Sequence, residues 1–104
     1  MADEVNITSV FINIGDAHPF HYISRILETY IKDDEKNKSL VVLQARGRNI
    51  SNAVTVASII RDRYIVNMTY DFEIGTELIK DKKVTFIKIA LQRHTVQEEV
   101  EPNV

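Results

Sequence analysis

The chain has 104 residues, of which 44% are apolar and 27% charged, and its formal net charge is −2. This length predicts one small domain with a single core, and the absence of cysteine excludes disulfides and thiolate metal sites. No apolar run reaches the roughly 20 residues of a membrane helix, and the acidic N-terminus is unlike a secretory signal. We therefore expect a cytoplasmic protein.

The first half of the chain predicts a strand and then a helix. Residues 1–6 are polar and predict a flexible N-terminus. Residues 7–14 are rich in Val, Ile and Phe, which predicts a buried strand that Gly15 ends. Pro19 is typical of a first helical position, and apolar spacings of three and four predict a helix over residues 19–33. The apolar stripe comprises Phe20, Ile23, Leu27, Tyr30 and Ile31.

The middle of the chain predicts a second strand and a second helix. Residues 39–45 predict a strand, and their continuous apolar run L-V-V-L indicates either a central strand covered on more than one side or an interface. Residues 50–63 predict a helix that approaches the sheet closely because its core-facing side chains are small. Those side chains are Ala53, Val54, Ala57 and either Ile59 or Ile60.

The last part of the chain predicts a hairpin and a tail. Residues 67–78 alternate between apolar and polar, which is typical of a strand. Residues 80–83 form a charged tip, and residues 84–93 predict a final strand with Ile87, Ile89 and Leu91 on one face. Residues 94–104 carry three glutamates and no periodicity, which predicts a disordered acidic tail.

The predicted order is therefore β-α-β-α-β-β, with one domain over residues 7–93. Right-handed strand-helix-strand connections place both helices on the same face of the sheet. The predicted architecture is a two-layer α/β sandwich with a mixed four-stranded sheet.

The charge is unevenly distributed along the chain. Residues 41–63 hold four arginines and one acid, whereas residues 1–40 and 94–104 each have a net charge of −3. Local charge decides whether a surface attracts a polyanion. The central segment is therefore the candidate anion-binding region.

A glycine flanked by two arginines lies between the second strand and the second helix. Such a junction presents unpaired N–H groups, which favour an anion. Arg46 and Arg48 add forked donors that match phosphate geometry, and Gly47 permits a sharp turn. The residues alone allow an anion site here, but R-G-R is also common in ordinary surface loops, and that alternative stays open.

No pattern favours catalysis. His18 and His21 lie near Asp16 and could bind a metal. However, His18 lies at a helix start and His21 on its exposed side, so a structural role is favoured. No catalytic triad, phosphate-binding loop or dinucleotide fingerprint is present. We expect no enzyme activity, no cofactor and no metal.

Residues 45–54 read A-R-G-R-N-I-S-N-A-V, and residues 59–64 read I-I-R-D-R-Y. Together they resemble the signature of the Alba family of archaeal chromatin proteins, and the likeness extends from about residue 10 to residue 93. The resemblance implies the two-layer fold shared with the C-terminal domain of bacterial translation initiation factor three. It also implies a chromosome-associated homodimer that binds double-stranded DNA, and RNA, with little sequence preference and compacts the chromosome.

The resemblance implies particular contacts. In the family, the R-G-R loop and the loop after the first strand lie against the DNA backbone, while two hairpin arms reach into the minor groove. By position, the implied nucleic-acid contacts are Arg46, Gly47, Arg48, Asn49, Asn52, Lys80, Lys82, Lys83 and His18. Tyr64 stands where the family commonly has a phenylalanine used in dimer–dimer contact; packing against its own domain is the alternative.

The chain departs from the family at three places. Asp16 and Ala17 replace two lysines that many members carry, one of which is acetylated, and Gln44 and Asn52 stand where basic residues often occur. We therefore expect weaker binding and no acetylation switch at this loop. His18 would restore charge below pH ~6.5 and tighten binding.

Two further functions remain open. One is RNA binding of the kind found in ribonuclease P complexes or RNA regulation. The other is a protein-interaction module that has lost nucleic-acid affinity, as the net negative charge allows. A heterodimer with a paralogue is also open.

Overall fold

The computed structural model describes residues 5–93 and confirms the predicted element order. Residues 1–4 and 94–104, which include most of the predicted flexible N-terminus and all of the acidic tail, lie outside the described residues. The elements are β1 (Asn6–Asn13), α1 (Pro19–Ile31), β2 (Asn37–Arg46), α2 (Ile50–Ile59), β3 (Met68–Ile79) and β4 (Lys82–Arg93).

The four strands form one mixed sheet in the order β1-β2-β4-β3. β1 is parallel to β2, and β4 is antiparallel to both β2 and β3. β2 therefore lies in the interior of the sheet, which is one of the two alternatives that its continuous apolar sequence indicates. Val41 and Leu43 are both 0% exposed.

The core lies between the sheet and the two helices. Alternate residues of β2 and β4 join one hydrophobic cluster with the inward residues of both helices. On β4 these are Ile87, Ile89 and Leu91, as predicted. Ala53 and Ala57 of α2 are also buried in this cluster, so their small side chains let the helix lie close to the sheet.

Two details of the first strand and helix differ from the predictions. β1 is an edge strand and not a buried one: Ile7 is 68% exposed and Phe11 58%, because their side chains lie on the sheet face away from the helical core. In α1, Tyr22 and Ile26 are buried, whereas Phe20 and Ile31 are exposed. The core-facing stripe is thus rotated relative to the predicted one.

The second helical segment covers the predicted residues, and Ala53, Ala57 and Ile60 are buried as predicted, but the segment changes helix type and buries Val56 in place of Val54. Its α-helical part ends at Ile59 and continues as a π-helical turn, Ile60–Tyr64, in which the Ile65 amide donates to the Ile60 carbonyl at 2.8 Å. Val56 is buried, whereas Val54 is exposed. In a helix that is apolar at most positions, composition does not identify the buried side.

β3 and β4 pair along twelve residues each and form a long hairpin. The turn consists of Lys80 and Asp81, both with positive φ (52° and 66°), as in the two-residue turns that suit twisted hairpins. β2 last pairs with β4 at Phe86. The four residues of β4 before Phe86 therefore extend about 13 Å beyond β2. We call this extension, residues 76–85, the hairpin arm.

No helix within residues 5–93 is long and apolar enough to cross a membrane.

Candidate nucleic-acid interface

The turn between β2 and α2 depends on Gly47. Arg46 is extended, Gly47 has φ +56°, and residues Gly47–Asn49 form one 3₁₀ turn that leads into α2. A Cβ at Gly47 would meet no atom within 4 Å, so glycine is required by the backbone conformation and not by lack of space. This turn places one arginine on each side of a reversal in chain direction.

Both arginines are exposed, and each faces a carboxylate. The Arg48 guanidinium donates to Asp16 Oδ2 at 2.8 Å, and the two side chains are 81% and 65% exposed. The Arg46 guanidinium donates through Nε to Glu77 of β3, and these side chains are 55% and 34% exposed. Water and ligands can therefore reach both guanidinium groups, but neither is without an anionic partner.

The loop after β1, residues 15–18, lies against the R-G-R turn. The Asn52 side-chain amide donates to the Gly15 carbonyl at 2.9 Å and to the Ala17 carbonyl at 3.1 Å. With its amide nitrogen turned toward acceptors, Asn49 donates to Asp16 Oδ1 at 2.7 Å. The sequence predicted that both loops would contribute to the interface, and the structure places them side by side.

Tyr22 of α1 holds the same loop through its hydroxyl group. Its hydroxyl accepts hydrogen bonds from the Gly15 amide at 2.8 Å and the Ala17 amide at 3.3 Å, and the residue is buried. Sequence reasoning missed this role. The helical spacing of Tyr22 from Ile26 was the available signal that the tyrosine faces inward near the loop.

His18 caps α1. Its Nδ1 accepts a hydrogen bond from the Phe20 amide at 3.2 Å, and its ring stacks on the Phe20 ring with centroids 5.4 Å apart. Both contacts tie the His18 side chain to the start of α1.

The lysines of the hairpin lie apart from the arginines. Lys80, Lys82 and Lys83 are exposed, and within residues 5–93 none of them pairs with a carboxylate. Lys80 is in the turn, whereas Lys82 and Lys83 belong to β4. The structure does not bring these lysines into contact with the R-G-R turn.

Tyr64 ends the π-helical turn and is 47% exposed. About half of its surface is thus available to another molecule.

Glu77 is a second residue at this site that the sequence did not indicate. Arg46 pairs in register with Phe86, which pairs in turn with Gly75, and Glu77 is the next residue of β3 on the same sheet face. Alternation along β3 identifies this face. Its proximity to Arg46 depends on β4 lying between β2 and β3, which no local pattern reveals.

Comparison with known proteins identifies the family of this architecture. The family model described as Alba matches residues 10–73. The DNA/RNA-binding protein Alba of Picrophilus torridus is 31% identical over 87 residues, which cover 79% of this chain and 93% of the relative. Among solved structures, Alba from Thermoplasma volcanium superposes with a TM-score of 0.72 at 26% identity, covering 81% of this chain and 100% of that one. ALBA1 from Trypanosoma brucei, at 18% identity and a TM-score of 0.62, covers 80% of this chain and 68% of that one and shares the fold.

Proposed function

Because the chain belongs to the Alba family, we propose that it is a non-enzymatic protein that binds double-stranded DNA, and RNA, through the phosphate backbone. The observation that carries this proposal is the pair of exposed guanidinium groups on either side of the Gly47 turn. The relative from Picrophilus torridus bears the name of a DNA/RNA-binding protein. On a chromosome, repeated binding of this kind would coat and compact the DNA.

Phosphate contacts explain both the affinity and the expected lack of sequence preference. Arginine offers two parallel donors to a phosphate, and the N–H groups at the start of α2 add partial positive charge. Contacts with the backbone position a protein without reading bases. The proposed footprint comprises Arg46, Gly47, Arg48, Asn49 and His18 on the body and Lys80, Lys82 and Lys83 on the hairpin arm. Asn52 contributes by holding the neighbouring loop, since both donors of its amide are directed at loop carbonyls.

We also propose that two copies of the chain form the binding unit. Phe72 and Ile74 lie on the same sheet face as the core residues Ile89 and Ile87 with which they pair, yet they are 53% and 70% exposed. The helices thus cover β4 and the first residues of β3 on this face and leave β3 from Phe72 onward uncovered. Contiguous exposed apolar surface of this kind is typical of an interface, and a symmetric second copy would cover it. Tyr64 would then be available for contact between dimers along DNA.

The dimer is tested by placing a charge on this strip. Ile74→Asp should convert the protein to a monomer because an unpaired carboxylate in an apolar interface is costly. Sedimentation equilibrium or light scattering measures the mass. Thr8→Asp, on the opposite edge of the sheet, is the matched control and should leave the mass unchanged. A wild-type protein that is monomeric at all concentrations would contradict the dimer.

The nucleic-acid proposal is tested with Arg46→Ala/Arg48→Ala against Lys36→Ala/Lys38→Ala, which removes the same charge near the start of β2. Fluorescence anisotropy with two unrelated duplexes of about 24 base pairs, between about 50 and 300 mM salt, gives affinity and salt slope. The arginine variant should lose at least about tenfold in affinity on both sequences, and its slope should fall by about one for each phosphate that is no longer neutralised. Equal affinity in the wild type and the arginine variant would reject the site.

RNA is the second candidate ligand, supported by the name of the curated relative. A structured RNA of the same length, measured at matched salt, distinguishes the two. A protein that binds neither duplex DNA nor RNA at about 50 mM salt would instead favour a protein-interaction module.

A further inference from the structure

We propose that Asp16 and Glu77 are internal competitors for the phosphate sites of Arg48 and Arg46, so that nucleic acid must displace a carboxylate from each arginine in order to bind. This inference rests on the proposed function and specifies how that site is regulated. The four side chains form two ion pairs at one surface, one joining the R-G-R turn to the loop after β1 and the other joining it to β3.

The two carboxylates occupy the positions that a bound phosphate needs. Arg48 donates through Nη2 and Arg46 through Nε, and these are among the donors with which a guanidinium group binds an anion. A carboxylate and a phosphate cannot both accept from the same N–H groups at full strength. Each bound acid therefore removes donors and one unit of positive charge from the surface.

Asp16 is held in place for this role. Its loop is fixed on one side by the Tyr22 hydroxyl and on the other by the Asn52 amide, and Asn49 donates to its second carboxylate oxygen. The backbone of the loop is therefore already held in place when Asp16 contacts Arg48. A preorganised partner competes more strongly than a mobile one.

A polyanion can displace both carboxylates from the arginines. Both ion pairs are exposed, and exposed ion pairs contribute little to stability. A nucleic acid contacts several cations at once, and its binding is favoured by counterion release. A single phosphate ion makes one contact with an arginine, and the arginine loses its contact with the carboxylate in exchange. We therefore expect the acids to lower the affinity for all anions and to exclude inorganic phosphate and mononucleotides almost completely.

The Glu77 pair has a second consequence because Glu77 belongs to the hairpin arm. The arm has no third strand beyond Phe86, so the Arg46–Glu77 contact links it directly to the end of β2. When a phosphate takes Arg46, this link is released. Binding at the body is thereby coupled to the freedom of the arm that carries the lysines.

The test compares two double variants with the same change in charge. Asp16→Asn/Glu77→Gln removes both competitors. Asp71→Asn/Glu73→Gln removes one aspartate and one glutamate from β3, where neither residue forms an ion pair within the described part of the chain. Affinity for a duplex of about 24 base pairs at about 100 mM salt should rise about two- to tenfold more in the first variant than in the control. Equal gains would show a general effect of charge and overturn the inference.

Two additional measurements separate competition at the arginines from a general change in charge. In the Arg46→Ala/Arg48→Ala background, adding Asp16→Asn/Glu77→Gln should raise the duplex affinity no more than adding Asp71→Asn/Glu73→Gln does, because no arginine remains to be released.

The second measurement concerns the hairpin arm. In the absence of nucleic acid, Glu77→Gln should speed amide hydrogen exchange in the arm, whereas Glu73→Gln should not. An unchanged exchange rate in Glu77→Gln would contradict the proposed coupling between Arg46 and the arm.

Failure of the inference is distinguishable from failure of the proposed function. If the wild type binds duplex DNA and both double variants gain equally, only the inference is wrong. If the wild type does not bind but Asp16→Asn/Glu77→Gln does, the inference is supported in its strongest form. If none of the variants binds at about 50 mM salt, both proposals are wrong.

Discussion

Two arginine–aspartate pairs lie at opposite ends of the sheet, and they differ in burial. Near the end of β4, Arg93 faces Asp33 at 3.6 Å, and the side chains are 34% and 6% exposed. Beside the end of β2, Arg48 faces Asp16 at 2.8 Å, with 81% and 65% exposed. The chemical groups are the same, but in the first pair the carboxylate is shielded, whereas in the second pair both partners are open to solvent.

The surroundings of the two pairs explain their different roles. Asp33 also accepts hydrogen bonds from the Ser39 amide at 2.9 Å and the Ser39 hydroxyl at 2.7 Å, and the Arg93 guanidinium lies over the Tyr30 ring at 5.0 Å. A carboxylate with several donors and little water is part of the fold. Exposed pairs contribute little to stability. We therefore expect the end of the sheet near Asp33 to contribute to stability, and the exposed R-G-R end to contribute little.

The largest expected effect follows from removing Asp33. Asp33→Ala leaves the two Ser39 donors and the Arg93 cation without their partner in a shielded place, which should cost about 2–4 kcal/mol. Urea denaturation measures the free energy of unfolding. Asp71→Ala, on the exposed face of β3, should change it by less than about 0.5 kcal/mol. Similar losses of unfolding free energy in the two variants would show that the Asp33 end of the sheet contributes no special stability.

The next effect concerns Tyr30 at the same end. Its hydroxyl donates to the Leu91 carbonyl at 2.7 Å, and the residue is 3% exposed. Tyr30→Phe should cost about 1–2 kcal/mol near neutral pH, since a buried hydrogen bond is removed. Tyr64→Phe, at the exposed end of the π-helical turn, is the control and should be neutral. Thermal or urea unfolding of both variants measures the difference.

The pH dependence of Tyr30 sharpens this prediction. Burial raises the pKa of Tyr30 to about 12, from an ordinary value of 10.0. A pKa that is raised in the folded state means that the contribution to stability is complete below about pH 10 and is lost as the pH rises toward about 12. The advantage of the wild type over Tyr30→Phe should therefore shrink by about 1 kcal/mol between about pH 9 and about pH 11. A stability difference between the wild type and Tyr30→Phe that stays constant with pH would contradict the raised pKa of Tyr30.

These structural elements were partly predictable from sequence. The periodicity of β3 and β4 and the motif at residues 45–54 predicted the sheet and the family, because both signals are local. The exposure of Phe11 and Val54 was not predictable from composition, since apolar residues lie on both sides of the strand or helix concerned. The Arg46–Glu77 contact joins residues from two strands separated by β4. Such a contact depends on the strand order, which is a property of the whole chain.

A smaller effect is expected at Gly47, where the R-G-R end depends on its backbone. Gly47→Ala places a Cβ at φ +56°, which should cost about 1 kcal/mol even though the space is open. Gly15→Ala is the matched control, because its Cβ would meet only the Tyr22 hydroxyl at an ordinary 3.5 Å and no positive φ is required. Unfolding free energies of the two variants measure the difference. Equal costs would show that the turn tolerates other residues.

The smallest effect should follow from breaking the exposed pair itself. Arg48→Ala should change the unfolding free energy by less than about 0.5 kcal/mol, whereas Arg93→Ala should cost about 1–3 kcal/mol because it leaves the shielded Asp33 without its cation. Urea denaturation of the two variants in the same buffer makes the comparison. If Arg48→Ala unfolds as easily as Arg93→Ala, the R-G-R end is structural after all. If it does not, weaker nucleic-acid binding by Arg48→Ala is a property of the surface, since the domain beneath it is intact.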